Sequence, residues 1–473
     1  MEPHKNDCRM LPALFQCGEL ERRLNLFDAT MIIVGNIIGI GIFTTTGLIA
    51  EALPDAVMII AVWIIGGLLT LCGALTYAEL GAAMPRAGGE YVYLKEAYGP
   101  LYGFLNGWTY FFVINPGSIA AMAIGSIFYL ERFWPGVSLE RNLVRISFLG
   151  QSPKLSTGQV MAIAIVFFFS AINYCGVRAG SLVQNVLTVA KLGSILAISV
   201  LGFMIGSGSW NHFSSTHTLA GPADFLGQLS LAMIAVIFAF TGWFTSTYVA
   251  SEIKEPQRNV PYSIIYGTLI VMGVYALINM AYLYALPVEQ MKGVINVGET
   301  AARALFGSSA SVYVSLAIII SILGAINSVI LTAPRIYFAM ARDGLFFQGV
   351  AKVHPRFKSP ANSIVIQAIW SCILVFSGTF GQLLTCTVVA MLTFSIMTGM
   401  ANFILRKRKP DLPRPYKTHG YPWIPAAFVA SYLLILANAM VSRPKEGLLG
   451  LGIVGLGVPI YFFWKRKITA RLA

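Results

Sequence analysis

Twelve apolar stretches run along the chain, at about 27–50, 56–83, 98–130, 157–175, 181–206, 226–250, 262–286, 309–340, 361–379, 383–405, 423–441 and 446–464. Each offers the roughly 20 predominantly apolar residues that a helix needs to cross a bilayer core. The apolar residues run on without the alternation of a barrel strand. The pattern therefore predicts twelve transmembrane helices, numbered here as spans 1 to 12. An even number puts both termini on one side. Residues 1–26 form a polar tail of mixed charge, and the first apolar run is long enough to remain as a helix, so no cleavable signal peptide is expected.

Composition narrows the class. Of 473 residues, 56% are hydrophobic and 11% charged, against about 25% charged in a soluble domain. A soluble chain of this length has too little interior to hide so much apolar surface. These figures exclude a soluble enzyme, a nucleic-acid binder and a disordered protein. The formal net charge of +13 becomes a topology signal. With the N-terminus inside, 24 of the 33 Lys and Arg fall on the cytoplasmic side and eight outside. This asymmetry follows the positive-inside bias and predicts cytoplasmic N- and C-termini. The 131–156 loop, with Arg132, Arg141, Arg145 and Lys154, is the dissenting element. Six cysteines show no metal-ligand spacing and read as free thiols. No metal or cofactor is expected.

The remaining cation is Lys191, near the middle of span 5. A charge at that depth is costly and marks a functional site or a specific structural partner. Its plain structural role would be a fixed cation bonded to the carbonyls of a broken helix. Span 1 carries Gly35-Asn36-Ile37-Ile38-Gly39-Ile40-Gly41-Ile42-Phe43. Each glycine weakens a helix by roughly 1 kcal/mol relative to alanine. A break there would offer N–H groups to a carboxylate at the start of its second half and carbonyls to an ammonium at the end of its first. Glycines equally form close-packing faces between membrane helices. Span 6 repeats the theme, with Gly242 between Phe238-Ala239-Phe240-Thr241 and Trp243-Phe244-Thr245-Ser246-Thr247. Interrupted helices at corresponding positions point to an inverted-repeat transporter with its site at the midplane. The division is then a cytoplasmic tail 1–26, repeat 1 at 27–206 (helices 1–5), repeat 2 at 226–405 (helices 6–10), helices 11–12 at 423–464, and a cytoplasmic tail 465–473. The fold class is an all-α integral membrane protein with 12 transmembrane helices, a 5+5 inverted repeat and discontinuous helices 1 and 6.

Ordered landmarks carry a family resemblance. After the Gly-x-Gly-Ile-Phe of span 1 comes Tyr77-Ala78-Glu79-Leu80-Gly81-Ala82-Ala83-Met84-Pro85-Arg86-Ala87-Gly88-Gly89-Glu90-Tyr91-Val92-Tyr93. Glu252-Ile253-Lys254 follows with Pro256, Arg258, Asn259 and Pro261, then Arg335 with Ala341-Arg342-Asp343-Gly344, then Arg406 through Pro410 with Arg414-Pro415-Tyr416. In this order they resemble the amino acid–polyamine–organocation transporter superfamily, as a bacterial amino-acid permease near the L-type amino-acid transporter branch.

The resemblance implies a site around the two breaks. Backbone N–H groups around Ile40, Gly41 and Ile42, next to Gly39, would hold a substrate carboxylate. Carbonyls near Ile37, Phe238 and Thr241 would meet its amino group. Phe238 would be the aromatic gate beside Gly242 and Trp243, with ordinary bundle packing as its alternative role. Lys191 matches a lysine that replaces a sodium ion between helices 1 and 8 in sodium-independent relatives. Ser321, Asn327 and Ser328 are its candidate partners on helix 8. Ile40 stands where many members carry Ser or Thr, and Phe244 where an Asn often follows the Trp. Some animal relatives join a single-span partner through an external cysteine between helices 3 and 4; residues 131–156 contain none, so no disulfide-linked heavy chain is expected.

Near the loop Met84–Gly89, Arg86 would pair with Glu79 or a neighbouring loop. The run Arg406–Lys409 reads as topology and lipid-headgroup attraction. The function expected is sodium-independent, alternating-access transport of amino acids across the cytoplasmic membrane, by exchange or with protons. Neutral substrates are favoured because no Asp or Glu lies mid-membrane to pair with a cationic side chain. The alternative is a cationic amino-acid or polyamine permease; a channel and a non-transporting receptor are more distant rivals. The partners expected are the amino acid and the lipid bilayer, with no nucleic acid.

Overall fold

The computed structural model describes residues 19–145, 154–214, 222–377, 380–442 and 444–472. Cys8, Cys17, most of the N-terminal tail, residues 146–153 of the loop between spans 3 and 4 and Arg443 lie outside the described residues.

The helices follow the apolar stretches. Span 1 is two helices, α1 (Leu26–Ile37) and α2 (Gly41–Ala52), bent by 43° at their break. Asn25 and Asp28 form a reciprocal capping box that fixes the start of α1. Span 2 is α3 (Ala56–Ala83), capped by Asp55. A short α4 (Glu90–Tyr98) precedes span 3, which comprises α5 (Pro100–Thr109), a π-helical turn at Tyr110–Ile114 and α6 (Asn115–Phe133). Between spans 3 and 4 a hairpin pairs β1 (Asn142–Arg145) with β2 (Lys154–Ser156), a departure from a purely helical chain. Spans 4, 5 and 6 are α7 (Thr157–Tyr174), α8 (Val177–Ile205) and α9 (Pro222–Ala239). Span 7 is α10 (Pro256–Ala285). It leads through the short helices α11 (Val288–Met291) and α12 (Val297–Phe306) to span 8, formed by α13 (Ala310–Thr332) and α14 (Pro334–Arg342). Then come α15 (Ala361–Ser377), α16 (Phe380–Arg408), α17 (Trp423–Ser442) and α18 (Pro444–Leu472).

Among the described residues nine helices are long and apolar enough to cross a membrane, and the bent α1–α2 pair makes ten. The other two apolar stretches of the chain hold shorter apolar helices, Gly227–Ala239 and Ala361–Ser377.

Helix α8 shows what solvent the fold is built for. Its buried side carries Gly180, Gln184, Thr188, Lys191 and Ser199, while Leu182, Val186, Val189, Leu196 and Val200 are exposed. A helix in water turns its apolar face inward. Here polar and small residues face the bundle and branched aliphatics face outward, as lipid requires. The buried polar face is hydrogen-bonded. Asn173 on α7 donates to Asn327 on α13, Asn327 donates to Gln184, and Gln184 donates to Thr188. Thr188 in turn donates to the Met31 carbonyl on α1. The chain of bonds fixes α8 beside the break in span 1.

Candidate functional site

Helix α1 ends as glycines and a turn interrupt its ladder. The Ile38 N–H still reaches the Val34 carbonyl, but the Gly39 N–H turns back to Ile37 at 2.9 Å. Helix α2 then starts at Gly41. The glycines do two different jobs. A Cβ on Gly35 would lie 1.9 Å from Gln184 Nε2 and 2.4 Å from Thr188 Oγ1, so Gly35 is a packing contact with α8. Gly39 and Gly41 have room, with nearest atoms at 3.8 and 3.5 Å; their place is in the break. Among the described residues, the N–H groups of Ile40, Gly41 and Ile42 have no hydrogen-bond acceptor in the protein. They point the positive end of α2 into the break.

Span 6 breaks after Ala239. Phe240 N–H reaches Val236, Thr241 N–H reaches Phe238 at 3.0 Å, and Gly242 takes φ +110°. A Cβ there would sit 2.4 Å from Asn36 Nδ2. The two interruptions are therefore pressed together, and Gly242 satisfies both the backbone angle and the close approach. Beyond the break the chain does not resume an α-helix but forms short 3₁₀ turns at Thr245–Thr247 and Ala250–Glu252. Thr245 and Thr247 hydroxyls donate to the carbonyls of Gly242 and Phe244 at 2.8 and 2.7 Å, which competes with an α-helical ladder.

Lys191 is fully buried, and its ammonium donates to three carbonyls: Gly35 at 2.9 Å, Ile38 at 2.7 Å and Ser321 at 3.0 Å. Three donors meet three acceptors, the full capacity of an ammonium. The helix-8 contact is the backbone of Ser321. The other two candidates turn elsewhere: Asn327 to Gly180 and Gln184, and Ser328 to the Ile32 carbonyl. Gly324 makes the space, because a Cβ there would lie 2.9 Å from Lys191 Nζ.

Tyr275 on α10 joins the two breaks. Its hydroxyl lies 3.0 Å from the Ile37 carbonyl and 3.1 Å from that of Ala239. Its ring packs edge-on against Trp63 at 5.2 Å and tilted against Phe240 at 5.0 Å. One turn on, Asn279 accepts from Thr46 of α2 at 2.6 Å. Neither Tyr275 nor Asn279 is among the residues that the sequence alone singles out. A signal for them exists, since a polar group in mid-span needs an internal partner. The Ile37 carbonyl thus has the Tyr275 hydroxyl and the Phe238 carbonyl the Thr241 N–H as donors, and among the described residues the Thr241 carbonyl has none.

Phe238 is 46% exposed, so its ring is not part of the packed core. Gly39, Ile40, Gly41 and Thr241 are partly exposed. Ile37, Ile42 and Gly242 are buried. Trp243 is buried against Tyr77, with ring centroids 4.6 Å apart, and packs against Phe428. It belongs to the support of the break.

At the end of the bundle where α1 begins, Glu252 and Arg335 form a buried pair at 2.6 and 3.2 Å. The backbone of Arg23 and Leu24 is bonded to the Glu252 carbonyl beside it, and Lys254 N–H returns to Leu24. Glu79 pairs with Arg406 at 2.8 and 2.6 Å, and also accepts from the Thr418 N–H. Arg86 instead faces Glu96, at 3.6 Å. Arg406 is thus also a structural ligand, stacked 3.7 Å over Tyr421. Cys72, Cys175 and Cys372 are free thiols.

Two broken apolar helices meeting inside a bundle that exposes large apolar side chains fit a membrane transporter. The chain belongs to the amino acid permease family, whose profile matches residues 24–449. It is a multi-pass membrane transporter of amino acids in the amino acid–polyamine–organocation superfamily, near the L-type branch, and not an enzyme. It is similar to the serine/threonine exchanger SteT of Bacillus subtilis (strain 168), with 32% identity over 95% of this chain and 98% of that protein. Asc-type amino acid transporter 1 of Mus musculus is 29% identical over 95% of this chain and 82% of its own length. The human large neutral amino acids transporter small subunit 2 matches at 29% with the same coverage.

Proposed function

We propose that the chain exchanges neutral amino acids across the cell membrane by alternating access, independently of sodium. The observation that carries this reading is the pairing of the two breaks at Asn36 and Gly242. The substrate carboxylate would lie on the free N–H groups of Ile40, Gly41 and Ile42. Its ammonium would lie on the Thr241 carbonyl, with Phe238 over it as a gate. Serving both charges with backbone groups leaves the side-chain specificity to Ile40, Phe238 and their apolar neighbours. A cationic side chain would enter without a carboxylate partner, a costly desolvation.

Sodium independence is supported by Lys191. Its ammonium occupies the carbonyls of Gly35, Ile38 and Ser321, a set that would otherwise suit a small cation. The names of SteT, an exchanger, and of the neutral amino-acid transporters support exchange of neutral substrates. We further propose repeats at 27–206 and 226–405 related by an in-plane pseudo-twofold axis, cytoplasmic termini, and function without a disulfide-linked partner.

The test is counterflow in proteoliposomes loaded with serine, alanine, leucine, arginine or putrescine, with and without sodium. Saturable exchange of the neutral amino acids in sodium-free buffer is expected. Strict sodium dependence would sink the role given to Lys191, and preference for arginine or putrescine would sink the neutral assignment.

A further inference from the structure

One buried carboxyl group takes no part in the site above. Glu90 opens α4 and is fully buried. Three phenols donate to it from three separate parts of the chain. Tyr77 of α3 reaches Oε1 at 2.5 Å, while Tyr110 of the π-helical turn and Tyr248 of the span-6 turns reach Oε2 at 2.7 and 3.3 Å. Among the described residues no Lys, Arg or His forms an ion pair with Glu90. A carboxylate has about four lone-pair sites and no donor of its own, so it can take all three phenols at once.

The approach to this hub is built into the loop before it. Gly88 and Gly89 take φ of +106° and +50°. A Cβ on Gly89 would lie 2.4 Å from Thr247 Oγ1 and 2.6 Å from Tyr248 Cδ1. The Gly88 N–H donates to the Tyr248 carbonyl at 3.1 Å. The loop thus lies directly on the 3₁₀ turns beyond the span-6 break. The phenols carry the contact up to the break itself. The Tyr77 ring is edge-on to Trp243 at 4.6 Å, and the Tyr248 ring is edge-on to Phe244 at 5.8 Å. The π-helical turn, a feature often placed at functional sites, is where span 3 supplies Tyr110.

We propose that Glu90 is a positioning residue for transport: through Tyr77, Tyr110 and Tyr248 it holds the backbone below the Gly242 break in the arrangement seen here, and release of Tyr248 accompanies opening of this face. The bond to Tyr248 is the longest of the three and shares its oxygen with Tyr110. A displacement of the 245–252 turns away from span 3 therefore breaks it first and leaves the other two intact. The inference rests on the transport reading and adds to it a residue that touches no substrate.

The test compares KM on the two sides of reconstituted protein for wild type, Tyr248→Phe and Glu90→Gln. Loss of the hub favours the state open on the N-terminal side. The KM on that side should fall relative to the opposite KM, by about threefold for Tyr248→Phe, which removes one long bond, and about tenfold or more for Glu90→Gln, which weakens all three by removing the charge they donate to. Tyr248→Phe keeps the ring and its packing, so it remains informative if Glu90→Gln folds poorly. A second readout needs no transport: alkylation of a cysteine placed at the buried Ser246, followed by mass spectrometry in detergent. The Tyr248→Phe background should accelerate it at least threefold. An unchanged KM ratio in wild-type-like folded protein, or unchanged alkylation, overturns the proposal. Exchange by the wild type alone reports on the transport reading, and the variant-to-wild-type ratios report on the hub.

Discussion

Replacing Lys191 by methionine removes an ammonium and little volume. Three carbonyls lose a donor. They are not equivalent. Ser321 lies within α13, whose helical ladder supplies its carbonyl with another donor. Gly35 and Ile38 flank the break, and their ladder partners would be the N–H groups of Gly39 and Ile42. Gly39 bonds elsewhere and Ile42 is free. Two buried carbonyls are thus orphaned, at about 1–3 kcal/mol each. Removing the buried charge recovers its own desolvation cost, so global stability need not fall. The local imbalance of about 2–6 kcal/mol from the two orphaned groups instead favours rewinding α1 into α2, which pairs Gly39 with Gly35 and Ile42 with Ile38. Rewinding consumes an N–H group proposed for the substrate carboxylate. At about 1.4 kcal/mol per factor of ten, counterflow of Lys191→Met should drop by roughly 30- to 20,000-fold, with a melting temperature close to wild type. Lys191→Arg should fail as well, because a Cβ on Gly324 would already lie 2.9 Å from Nζ and a guanidinium is bulkier. Counterflow of folded Lys191→Met within about threefold of wild type would refute this reasoning.

Tyr275→Phe keeps the ring contacts with Trp63 and Phe240 but removes the hydroxyl between the Ile37 and Ala239 carbonyls; substrate affinity should fall about 5- to 150-fold for about 1–3 kcal/mol, read as KM in counterflow with unchanged thermal stability. Gly242→Ala forces a Cβ to 2.4 Å from Asn36 Nδ2 at φ +110°; counterflow should vanish, and Asn36→Ala added to it should not restore transport because the backbone angle remains. Glu252→Gln leaves the Arg335 guanidinium buried beside a neutral amide; removing one partner of such a pair costs about 3–5 kcal/mol. The melting temperature in detergent should therefore fall, with partial recovery in the Glu252→Gln/Arg335→Met double variant.

Much of this arrangement is legible in the chain. Lys191 stands out because charge is rare in the spans, and its three acceptors are the kind a buried ammonium demands. Both breaks are marked by glycine, but glycine identity alone does not separate the packing role of Gly35 from the backbone role of Gly39 and Gly41. That difference depends on Gln184 and Thr188, which a different helix supplies. Tyr275 escapes notice because tyrosine in a span is ordinary; only its position opposite two broken ends makes its hydroxyl a bridge. Glu79 pairs not with the nearby Arg86 but with Arg406, which is far away in sequence and reaches it from the end of α16. The lower half of span 6 becomes readable as 3₁₀ turns only once the Thr245 and Thr247 hydroxyls are seen bonding back to their own backbone.

The ammonium of Lys191 is covalently part of α8, and this sets a thermodynamic limit. A dissociable ion crosses with its substrate and leaves, and its gradient does work. A tethered cation returns with the protein in every cycle and adds nothing to the net charge moved. A carrier working as proposed here draws no energy from a sodium gradient. Under the exchange proposed above, accumulation of one amino acid is bounded by the gradient of the amino acid leaving, so the steady state on either side tracks the composition of the other.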